Sequence, residues 1–535
     1  MLSRLMNLVR IGTLSAHRKH LMAGLNSIPP DLSSAPTMPS SLVNPDAVEP
    51  VSKQQITISS APATPLPPLV VDLDGTLLET DMLLELLFCL LRQAPSAAFC
   101  LPLWLLKGRA NLKHQIAKRV RLDVASLPYR AALLEQLRVE HGKGRSIVLA
   151  TGSDERLARQ VADHLQIFDS VLASDGNINL TGERKRERLV RQFGERGFDY
   201  AGNSNIDLAV WSSARNAIVV SHSPRLLRAA GKVAEVESVF DDRRPSLAEY
   251  LKALRPQQWV KNFLVFVPLL AAHRFYEPAL MEKAILAFAA FCCCASSGYL
   301  FNDVLDLAAD RHHPTKRLRP FASGRLPLSY ALVMIPALLV LGCVLAGFGP
   351  RSLVGFVLLY SALTLTYSLY IKRVVLLDVL VLSGLYTLRI MAGAMAVAIW
   401  PSEWLLAFAV FLFVSLAFVK RYGELVVMRN VDGDHAKARS YEISDAELLA
   451  SKGTASGYMA GLVLALYISS STAKALYSRP EFLWFLCPLL LYWVGYLWLM
   501  AHRGRMMDDP LLFALHNRTS LILITLMCGT ALLAA

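Results

Sequence analysis

Four side chains with oxygen donors stand close together near the middle of this 535-residue chain: Asn302, Asp303, Asp306 and Asp310. In a continuous helix, the spacing i, i+4, i+8 puts Asn302, Asp306 and Asp310 on one face, with Asp303 three residues before Asp306. Carboxylates this close repel one another, and they are costly at a membrane-buried helix end unless cations neutralise them. Mg²⁺ bridging to a diphosphate would neutralise them, so the spacing predicts a magnesium–diphosphate site.

A basic segment, residues 313–320, follows these acids and holds Lys316, Arg317 and Arg319 between two prolines. Arg311 directly adjoins the last acid. Guanidinium and ammonium groups grip phosphate oxygens, and prolines hold the backbone in rigid turns. The segment therefore favours phosphate binding over a solvated acidic helix end.

Membrane helices are the elements that must position these residues. The chain is 54% hydrophobic with a mean hydropathy of +0.39, too apolar for an ordinary soluble enzyme, and its apolar residues crowd after about residue 255. We therefore expect nine membrane passes, the first of them short. Their approximate bounds are 262–272, 281–301, 328–348, 352–371, 375–399, 402–419, 455–475, 482–500 and 515–535.

The distribution of basic residues predicts how these passes are oriented. One set of loops holds sixteen Lys and Arg residues and the opposite set holds five. Because basic loops stay in the cytoplasm, we expect an inner-membrane protein with its acidic motifs and amino-terminal domain on the cytoplasmic side. The net charge of +13 forms no long basic stripe, so it favours lipid headgroups and phosphorylated substrates over nucleic acid.

The predicted fold class is mixed, with a soluble Rossmann-like α/β domain before an all-α membrane domain. Short apolar runs at 69–71, 146–150 and 217–220 read as buried parallel strands, and the apolar stretch 83–106 reads as a helical cap. The predicted limits are a disordered segment at 1–66, the α/β domain at 67–243, a linker at 244–256 and the membrane domain at 257–535.

The α/β domain resembles the haloacid dehalogenase (HAD) superfamily of phosphatases. Asp72-Leu73-Asp74-Gly75-Thr76 follows its first strand, and two acids two residues apart on an extended loop point the same way. The resemblance implies that Asp72 is the nucleophile and Asp74 the general acid/base. It also implies further site residues: Thr151 would bind the phosphoryl group, Lys185 would offset its charge, and Asp207 would hold Mg²⁺ with Asp72 and Asp74.

One position departs from the HAD pattern. This chain has Asn203 where the superfamily commonly has an aspartate. An Asn carbonyl can still bind Mg²⁺, but with one formal charge fewer. Both an active phosphatase and a degenerate domain with weaker metal binding are compatible with this residue.

The membrane part resembles the UbiA superfamily of prenyltransferases. Its acidic motif, Asn302-Asp303-x-x-Asp306-x-x-x-Asp310-Arg311, is similar to the first aspartate-rich motif of that superfamily. A second group, Tyr367, Lys372 and Asp378, is similar in kind to the second conserved region, although relatives that prenylate aromatic compounds usually have a pair of aspartates there. The resemblance implies a Mg²⁺-dependent transferase that acts on a polyprenyl lipid.

Within that superfamily, five separate stretches are similar to decaprenyl-phosphate phosphoribosyltransferases: 255–262, 313–324, 388–393, 420–425 and 508–510. The resemblance implies phosphoribosyl pyrophosphate (PRPP) as the donor and a polyprenyl phosphate as the acceptor. Both substrates bring extra phosphate groups, which need extra cations. The candidates for these are Lys261, Lys316, Arg317, Arg319, Lys372, Arg389, Lys420 and Arg421.

The fused HAD domain could then remove the 5-phosphate of the lipid-linked product. Two other functions are compatible with the sequence. One is an aromatic prenyltransferase that uses a polyprenyl diphosphate. The other is a non-catalytic lipid carrier or transporter with a regulatory HAD module, although transporter carboxylates usually interrupt helices in mid-membrane rather than at their ends.

Overall fold

The computed structural model describes residues 66–240, 244–432, 437–438, 440–506 and 509–535. Apart from residue 66, the segment expected to be disordered lies outside this range, and so does Asp508. Within the described residues an α/β domain precedes a helical domain, as the sequence predicts.

A parallel sheet of six strands forms the centre of the α/β domain, in the order β3-β2-β1-β4-β5-β6. Leu69 and Val71 of β1 lie in one apolar layer and Val70 lies in the other, because successive side chains of a strand point to opposite faces. Both faces of β1 are therefore buried. The strands are β1 (Leu69–Val71), β2 (Ile147–Asp154), β3 (Ser170–Ser174), β4 (Asp199–Gly202), β5 (Asn216–Val220) and β6 (Glu235–Phe240).

Helices surround this sheet and build a cap above it. The apolar stretch 83–106 is helical as predicted, and it is too short in its parts to span a membrane. The helices of this domain are α1 (Met82–Gln93), α2 (Leu101–Leu106), α3 (Arg109–Ala117), α4 (Ala131–Gly142), α5 (Glu155–Leu165), α6 (Glu183–Phe193), α7 (Leu208–Trp211) and α8 (Pro224–Val233).

The second domain is helical except for a short hairpin of β7 (Lys437–Ala438) and β8 (Tyr441–Glu442). The predicted linker contains a helix of its own, α9, which a Ser246–Glu249 capping box starts. The helices are α9 (Leu247–Ala253), α10 (Val267–Ala271), α11 (Pro278–Leu305), α12 (Leu307–His312), α13 (Leu328–Gly347), α14 (Arg351–Leu369), α15 (Leu377–Val397), α16 (Glu403–Asp432), α17 (Ala446–Ser469), α18 (Ser471–Leu476), α19 (Leu486–His502), α20 (Pro510–His516) and α21 (Arg518–Ala534).

The expected count of nine membrane passes is not confirmed. Among the described residues, six helical stretches are long and apolar enough to cross a membrane, or seven if the pair α20 and α21, bent by 90°, counts as one span. The six are Pro278–Leu305, Leu328–Gly347, Arg351–Leu369, Leu377–Val397, Glu403–Arg429 and Pro480–His502. The expected pass at 262–272 is instead a 3-10 segment, Pro256–Phe266, followed by the five-residue helix α10.

The expected pass at 455–475 falls largely in α17, which is long enough but is not among the six. Glu447, Lys452, the hydroxyl side chains and the glycines of this helix lower its hydropathy, and the glycines let neighbouring helices approach closely. An added Cβ at Gly453 would lie 2.2 Å from Trp498, and one at Gly457 would lie 2.6 Å from Val494. Small residues therefore serve helix packing here at the expense of apolar character.

A similar close approach fixes the entry to the membrane domain. An added Cβ at Gly393 of α15 would lie 2.0 Å from the carbonyl oxygen of Val265. Only a glycine allows this helix and the 3-10 segment to touch through their backbones. The contact holds the neighbouring Lys261 and Asn262 against α15.

Candidate functional site: two acidic pairs, a buried basic cluster and a phosphatase-like pocket

The acidic motif lies at a break between two helices. α11 ends at Leu305 and α12 begins at Leu307, so Asp306 stands between them with φ −97° and ψ 12°. The expectation that Asn302, Asp306 and Asp310 share one face of a continuous helix is therefore not confirmed. The four side chains form two pairs, one four residues apart and one seven residues apart.

Asp303 and Asp310 form the first pair. Arg319 joins them, since its Nη1 donates to Asp303 Oδ1 at 3.2 Å and to Asp310 Oδ2 at 2.5 Å. Arg255 forms a further ion pair with Asp303. Burial raises the pKa of Asp310 and Arg319 opposes this rise.

Asn302 and Asp306 form the second pair. Lys372 Nζ lies 3.3 Å from Asn302 Oδ1 and 2.8 Å from Asp306 Oδ1. Arg92 of the α/β domain also forms an ion pair with Asp306. A single motif carboxylate thus faces two cations, one from each domain.

The donor sets of these pairs suit Mg²⁺, although no group of three or more His, Cys, Asp or Glu side chains comes together anywhere in the described chain. Mg²⁺ usually takes one or two protein carboxylates and completes its shell with waters and substrate phosphate oxygens. Each pair offers oxygens that already converge on one cation. Asp303 with Asp310, or Asn302 with Asp306, could hold an ion in that way.

Asp378 belongs to a separate closed network. Its Oδ2 accepts from Arg421 at 2.5 Å and its Oδ1 from Tyr441 at 2.6 Å. Arg421 also donates to Tyr367 at 2.5 Å and to Glu424 at 2.7 Å. Asp378 and Arg421 are both buried, so these residues bind one another, and their roles in catalysis and substrate binding stay predictions.

A buried basic cluster surrounds Asp509, at the amino end of α20. Asp509 Oδ2 accepts from Lys261 at 2.7 Å, from Lys420 at 3.3 Å and from Tyr386 at 3.1 Å. Lys261 Nζ lies 5.7 Å from the centroid of the Tyr386 ring, and Arg389 Cζ lies 5.6 Å from it. Three of the predicted phosphate-binding cations therefore meet in one place.

Neutral groups hold Arg389 in this cluster. Its guanidinium donates to Asn262 Oδ1 at 2.9 Å, to the Tyr360 hydroxyl at 2.8 Å and to the Leu385 carbonyl at 2.5 Å. Sequence reasoning missed the tyrosines because they lie inside apolar helix patterns. Asp509 could have been found from the sequence, because it lies in the 508–510 stretch that resembles phosphoribosyltransferases.

The remaining cations of the basic segment lie elsewhere. Lys316 and Arg317 form an exposed 3-10 turn. Arg311 is buried against the α/β domain, where its guanidinium donates to both oxygens of Glu85, at 2.5 and 3.1 Å. A substrate-binding role for these three residues stays a prediction.

The carboxyl ends of β1, β2 and β4 bring the phosphatase-like residues together. Lys185 Nζ donates to Asp72 Oδ1 at 2.8 Å, and burial raises the pKa of Asp72 to about 7 although Lys185 opposes the rise. Asp74 accepts from Ser153 at 2.8 Å and from Thr151 at 3.4 Å. The predicted nucleophile, acid/base and phosphate-binding residues therefore share one pocket.

Asp207 is joined to that pocket through Tyr200, which sequence reasoning missed because it lies in an apolar strand. Tyr200 accepts from Lys185 at 2.9 Å and donates to Asp207 Oδ1 at 2.8 Å. Asp207 Oδ2 accepts from the backbone amides of Asn203 and Ser204, at 3.1 and 2.9 Å. The role of Asp207 as a magnesium ligand stays a prediction.

The side chain of Asn203 packs against the turn after Asp74. Gly75 has φ +71°, and a Cβ there would lie 2.1 Å from Asn203 Nδ2. Glycine is needed both for the left-handed backbone and for this contact. Asn203 as a magnesium ligand also stays a prediction, while the oxygens of Asp72 and Asp74 are of the type that Mg²⁺ prefers.

Two family models match this chain. The UbiA prenyltransferase family matches residues 263–521, and the haloacid dehalogenase-like hydrolases match residues 69–195. The first range contains the acidic motif and the second contains the Asp72 pocket as far as Lys185.

Curated relatives cover both parts. The uncharacterized protein y4nM of Sinorhizobium fredii is 35% identical over 473 residues, which cover 87% of this chain and 91% of that protein. Nodulation protein NoeC of Azorhizobium caulinodans is 39% identical over 51% of this chain and 89% of its own length. A decaprenyl-phosphate phosphoribosyltransferase of Corynebacterium glutamicum is 41% identical, but only over 33% of this chain and 54% of its own length.

Among solved structures, a UbiA homolog from Archaeoglobus fulgidus is 16% identical and covers 54% of this chain and 98% of that one, with a TM-score of 0.42. The two family matches and the apolar helices lead to the same family assignment. The chain belongs to the UbiA prenyltransferase family and carries a haloacid dehalogenase-like domain at its amino-terminal side.

Proposed function

We propose that this protein transfers a phosphoribosyl group from PRPP to a polyprenyl phosphate, with Mg²⁺, and that its HAD domain removes the 5-phosphate from the lipid-linked product. The observation that carries the proposal is the buried basic cluster of Lys261, Arg389 and Lys420 around Asp509. Lys261 and Lys420 bond this carboxylate and Arg389 is held beside them by neutral groups, so the cluster has two more positive charges than negative ones.

A surplus of buried charge is costly unless a ligand balances it. A prenyl diphosphate brings its phosphates only to the acidic pairs. PRPP adds a 5-phosphate and the lipid acceptor adds a phosphate of its own, so these substrates can balance both regions. Partial identity with phosphoribosyltransferases over 33% of the chain supports the same donor.

The acidic pairs would hold the ion and the donor's diphosphate. Mg²⁺, when bound, offsets the negative charge of the departing diphosphate. Arg319 and Lys372 neutralise the carboxylates in the absence of substrate, and both can turn to phosphate oxygens. The buried cluster would hold the second phosphate and thereby orient the ribose relative to the acceptor.

In the HAD domain, Asp72 would attack the phosphorus of the 5-phosphate and form an aspartyl-phosphate as the bond from phosphorus to the ribose oxygen breaks, and Asp74 would protonate that oxygen. Water would then hydrolyse the aspartyl-phosphate and release phosphate. The Asp72–Lys185 distance and the bonds of Ser153 and Thr151 to Asp74 support these roles.

We also propose that this domain faces the cytoplasm. The loop that carries Lys372 and the loop after Asp306 meet at one end of the bundle, and both are basic.

The transferase step is tested with purified protein and polyprenyl phosphate, supplied either with PRPP or with prenyl diphosphate and hydroxybenzoate. Mass spectrometry should show a lipid-linked ribose, with or without its 5-phosphate, only when PRPP is the donor supplied. Arg389→Met should raise the KM for PRPP by about 10- to 100-fold, the loss expected for a charge-assisted hydrogen bond. Lys474→Met, an exposed lysine of α18, is the matched control. Prenylated hydroxybenzoate as the sole product would refute the proposed donor.

The phosphatase step is tested with Asp72→Asn. The variant should accumulate lipid-linked phosphoribose 5-phosphate, while the wild-type protein should release phosphate and leave lipid-linked ribose. The same phosphorylated lipid from both proteins would refute the step without affecting the transfer reaction.

A further inference from the structure

Helix α1 of the HAD domain reaches the acidic motif of the membrane domain. Its first amide, Met82 N, donates to Asp74 at 2.7 Å, and near its last residue Arg92 pairs with Asp306. One helix of 12 residues therefore connects the pocket of Asp72 with the motif of the transferase.

Three independent contacts along α1 hold it against the membrane domain. Phe88 lies in one apolar cluster with Leu300 and Val304 of α11. Glu85 holds Arg311, as described above. Arg373 donates to the backbone carbonyl of Arg92 at 3.1 Å, in the turn that also carries Lys372. The position of Arg92 thus follows from the packing of α1 and does not depend on its own ion pair.

We propose that Arg92 is a donor-binding residue of the transferase, contributed by the HAD domain, and that its guanidinium binds the diphosphate of the donor. The proposal rests on the proposed function, in that the acidic motif is taken as the donor site. It assigns the HAD domain a part in the transfer reaction itself, separate from any phosphatase activity.

Charge and exposure support this assignment. Asp306 faces both Arg92 and Lys372, so one carboxylate is opposed by two cations. The Arg92 side chain is 34% exposed and Asp306 is 20% exposed, whereas the neighbouring Arg311 and Glu85 side chains are 6% and 2% exposed. An ion pair as open as that of Arg92 adds little stability. The buried ion pair of Glu85 and Arg311 suffices to join the domains, and the more exposed ion pair of Arg92 and Asp306 is accessible to a ligand.

The geometry leaves Arg92 donors for a phosphate. Its described contacts, with Asp306 Oδ1 and the Leu305 carbonyl, both use Nη1. A guanidinium has five N–H donors in a planar fork that matches phosphate oxygens. Nη2 and Nε can therefore donate to a diphosphate held at the acidic pairs.

The test measures pyrophosphate binding to the full-length protein in detergent with Mg²⁺, together with KM and kcat for PRPP. Arg92→Ala should weaken pyrophosphate binding by about 10- to 100-fold and raise the KM for PRPP in proportion, with a smaller change in kcat. Arg92→Lys should weaken pyrophosphate binding by an intermediate amount, because lysine keeps the positive charge but lacks the planar guanidinium group. The matched control is Arg119→Ala, an exposed arginine of the same domain that lies over Trp104.

Ethylguanidinium separates a ligand-binding role from a structural one. Millimolar ethylguanidinium should restore pyrophosphate binding to Arg92→Ala, since a small guanidinium can replace a missing side chain but cannot repack an interface. Unchanged pyrophosphate binding in Arg92→Ala overturns the proposal, and so does a loss that ethylguanidinium fails to restore. Pyrophosphate is common to PRPP and prenyl diphosphates, so the binding measurement tests Arg92 equally well if PRPP proves not to be the donor.

Discussion

The buried ion pair between Glu85 and Arg311 gives the sharpest test of how the two domains are joined. The pair is bidentate, and its side chains are 2% and 6% exposed. In Glu85→Gln the Arg311 guanidinium keeps its bond to the Ala322 carbonyl at 3.1 Å but loses its countercharge. Breaking a buried pair from one side costs about 3 kcal/mol or more, so the docking of α1 should weaken by that amount.

Amide hydrogen exchange measures this directly. A loss of about 3 kcal/mol corresponds to about 100-fold faster exchange in α1, because every 1.4 kcal/mol is a factor of ten. The amides of β2 should keep their wild-type rates, since the sheet does not contact Arg311. Glu135→Gln is the matched control, because its pair with Arg138 is exposed and 4.0 Å long and contributes little.

A double variant supplies the refuting result. Glu85→Gln with Arg311→Met removes both charges, so α1 should exchange more slowly in it than in Glu85→Gln alone. The reasoning is wrong if the two substitutions add, if α1 in Glu85→Gln exchanges at the wild-type rate, or if β2 accelerates as much as α1.

Three further predictions concern the membrane entry, the Asp72 pocket and the cap. Gly393→Ala should lower the thermal unfolding temperature in detergent, because the added carbon clashes with the Val265 carbonyl at a cost of about 1–3 kcal/mol. Gly384→Ala in the same helix is the control: a Cβ there would have no atom within 4 Å, so this substitution should be neutral or stabilising. Without metal, the stability of the α/β domain should fall as the pH rises from about 4 to about 7, because folding raises the pKa of Asp72 from 3.8 to about 7 and so penalises its charged form. The loss of stability is at most about 4 kcal/mol. Thermal melts with EDTA should show this pH dependence in the wild-type protein and not in Asp72→Asn. The apolar side chains of Phe99, Leu103 and Leu106 are exposed, so we expect them to contact the bilayer surface. Brominated lipids should then quench the fluorescence of Trp104 in a variant that lacks the other tryptophans. The double substitution Phe99→Ser with Leu106→Ser should reduce this quenching.

Residue types and order along the chain were enough to predict the phosphatase-like pocket. Asp72, Thr151 and Lys185 each follow or face the end of a strand of one parallel sheet, and such ends meet at a common edge. Local order could not reveal Tyr200, whose hydroxyl joins Lys185 to Asp207, because a buried tyrosine in a strand looks like any other apolar position. Of the six strands, β1, β2 and β5 were predicted from their apolar runs, whereas no apolar run was singled out for β3, β4 and β6.

The acidic motif was predictable in composition but not in geometry. The spacing i, i+4, i+8 did not single out the pair of Asp303 and Asp310, which are seven residues apart, although an α-helix also brings i and i+7 to one face. One cation that pairs with the motif comes from far along the chain, because Arg92 is 214 positions from Asp306. In the basic cluster, Lys261 is 248 positions from Asp509. Tertiary packing sets such partners, and no local pattern encodes them. The pass expected at α17 is not confirmed, because polar residues and glycines lower the hydropathy of this helix.

The way α1 is placed gives a physical reason for joining the two domains in one chain. From Met82, bonded to Asp74, to Arg92, bonded to Asp306, the helix rises about 15 Å, at 1.5 Å per residue. A lipid-linked sugar phosphate formed at the motif would stay anchored in the bilayer by its polyprenyl chain. It would need to move its head group by only about the length of this helix to reach Asp72. A separate phosphatase would have to find the same head group by diffusion, whereas a tethered one meets it at a high effective concentration. Since each end of α1 is bonded to a motif acid, weakening its docking should slow the removal of phosphate from the lipid product and leave the hydrolysis of a small soluble phosphate ester unchanged.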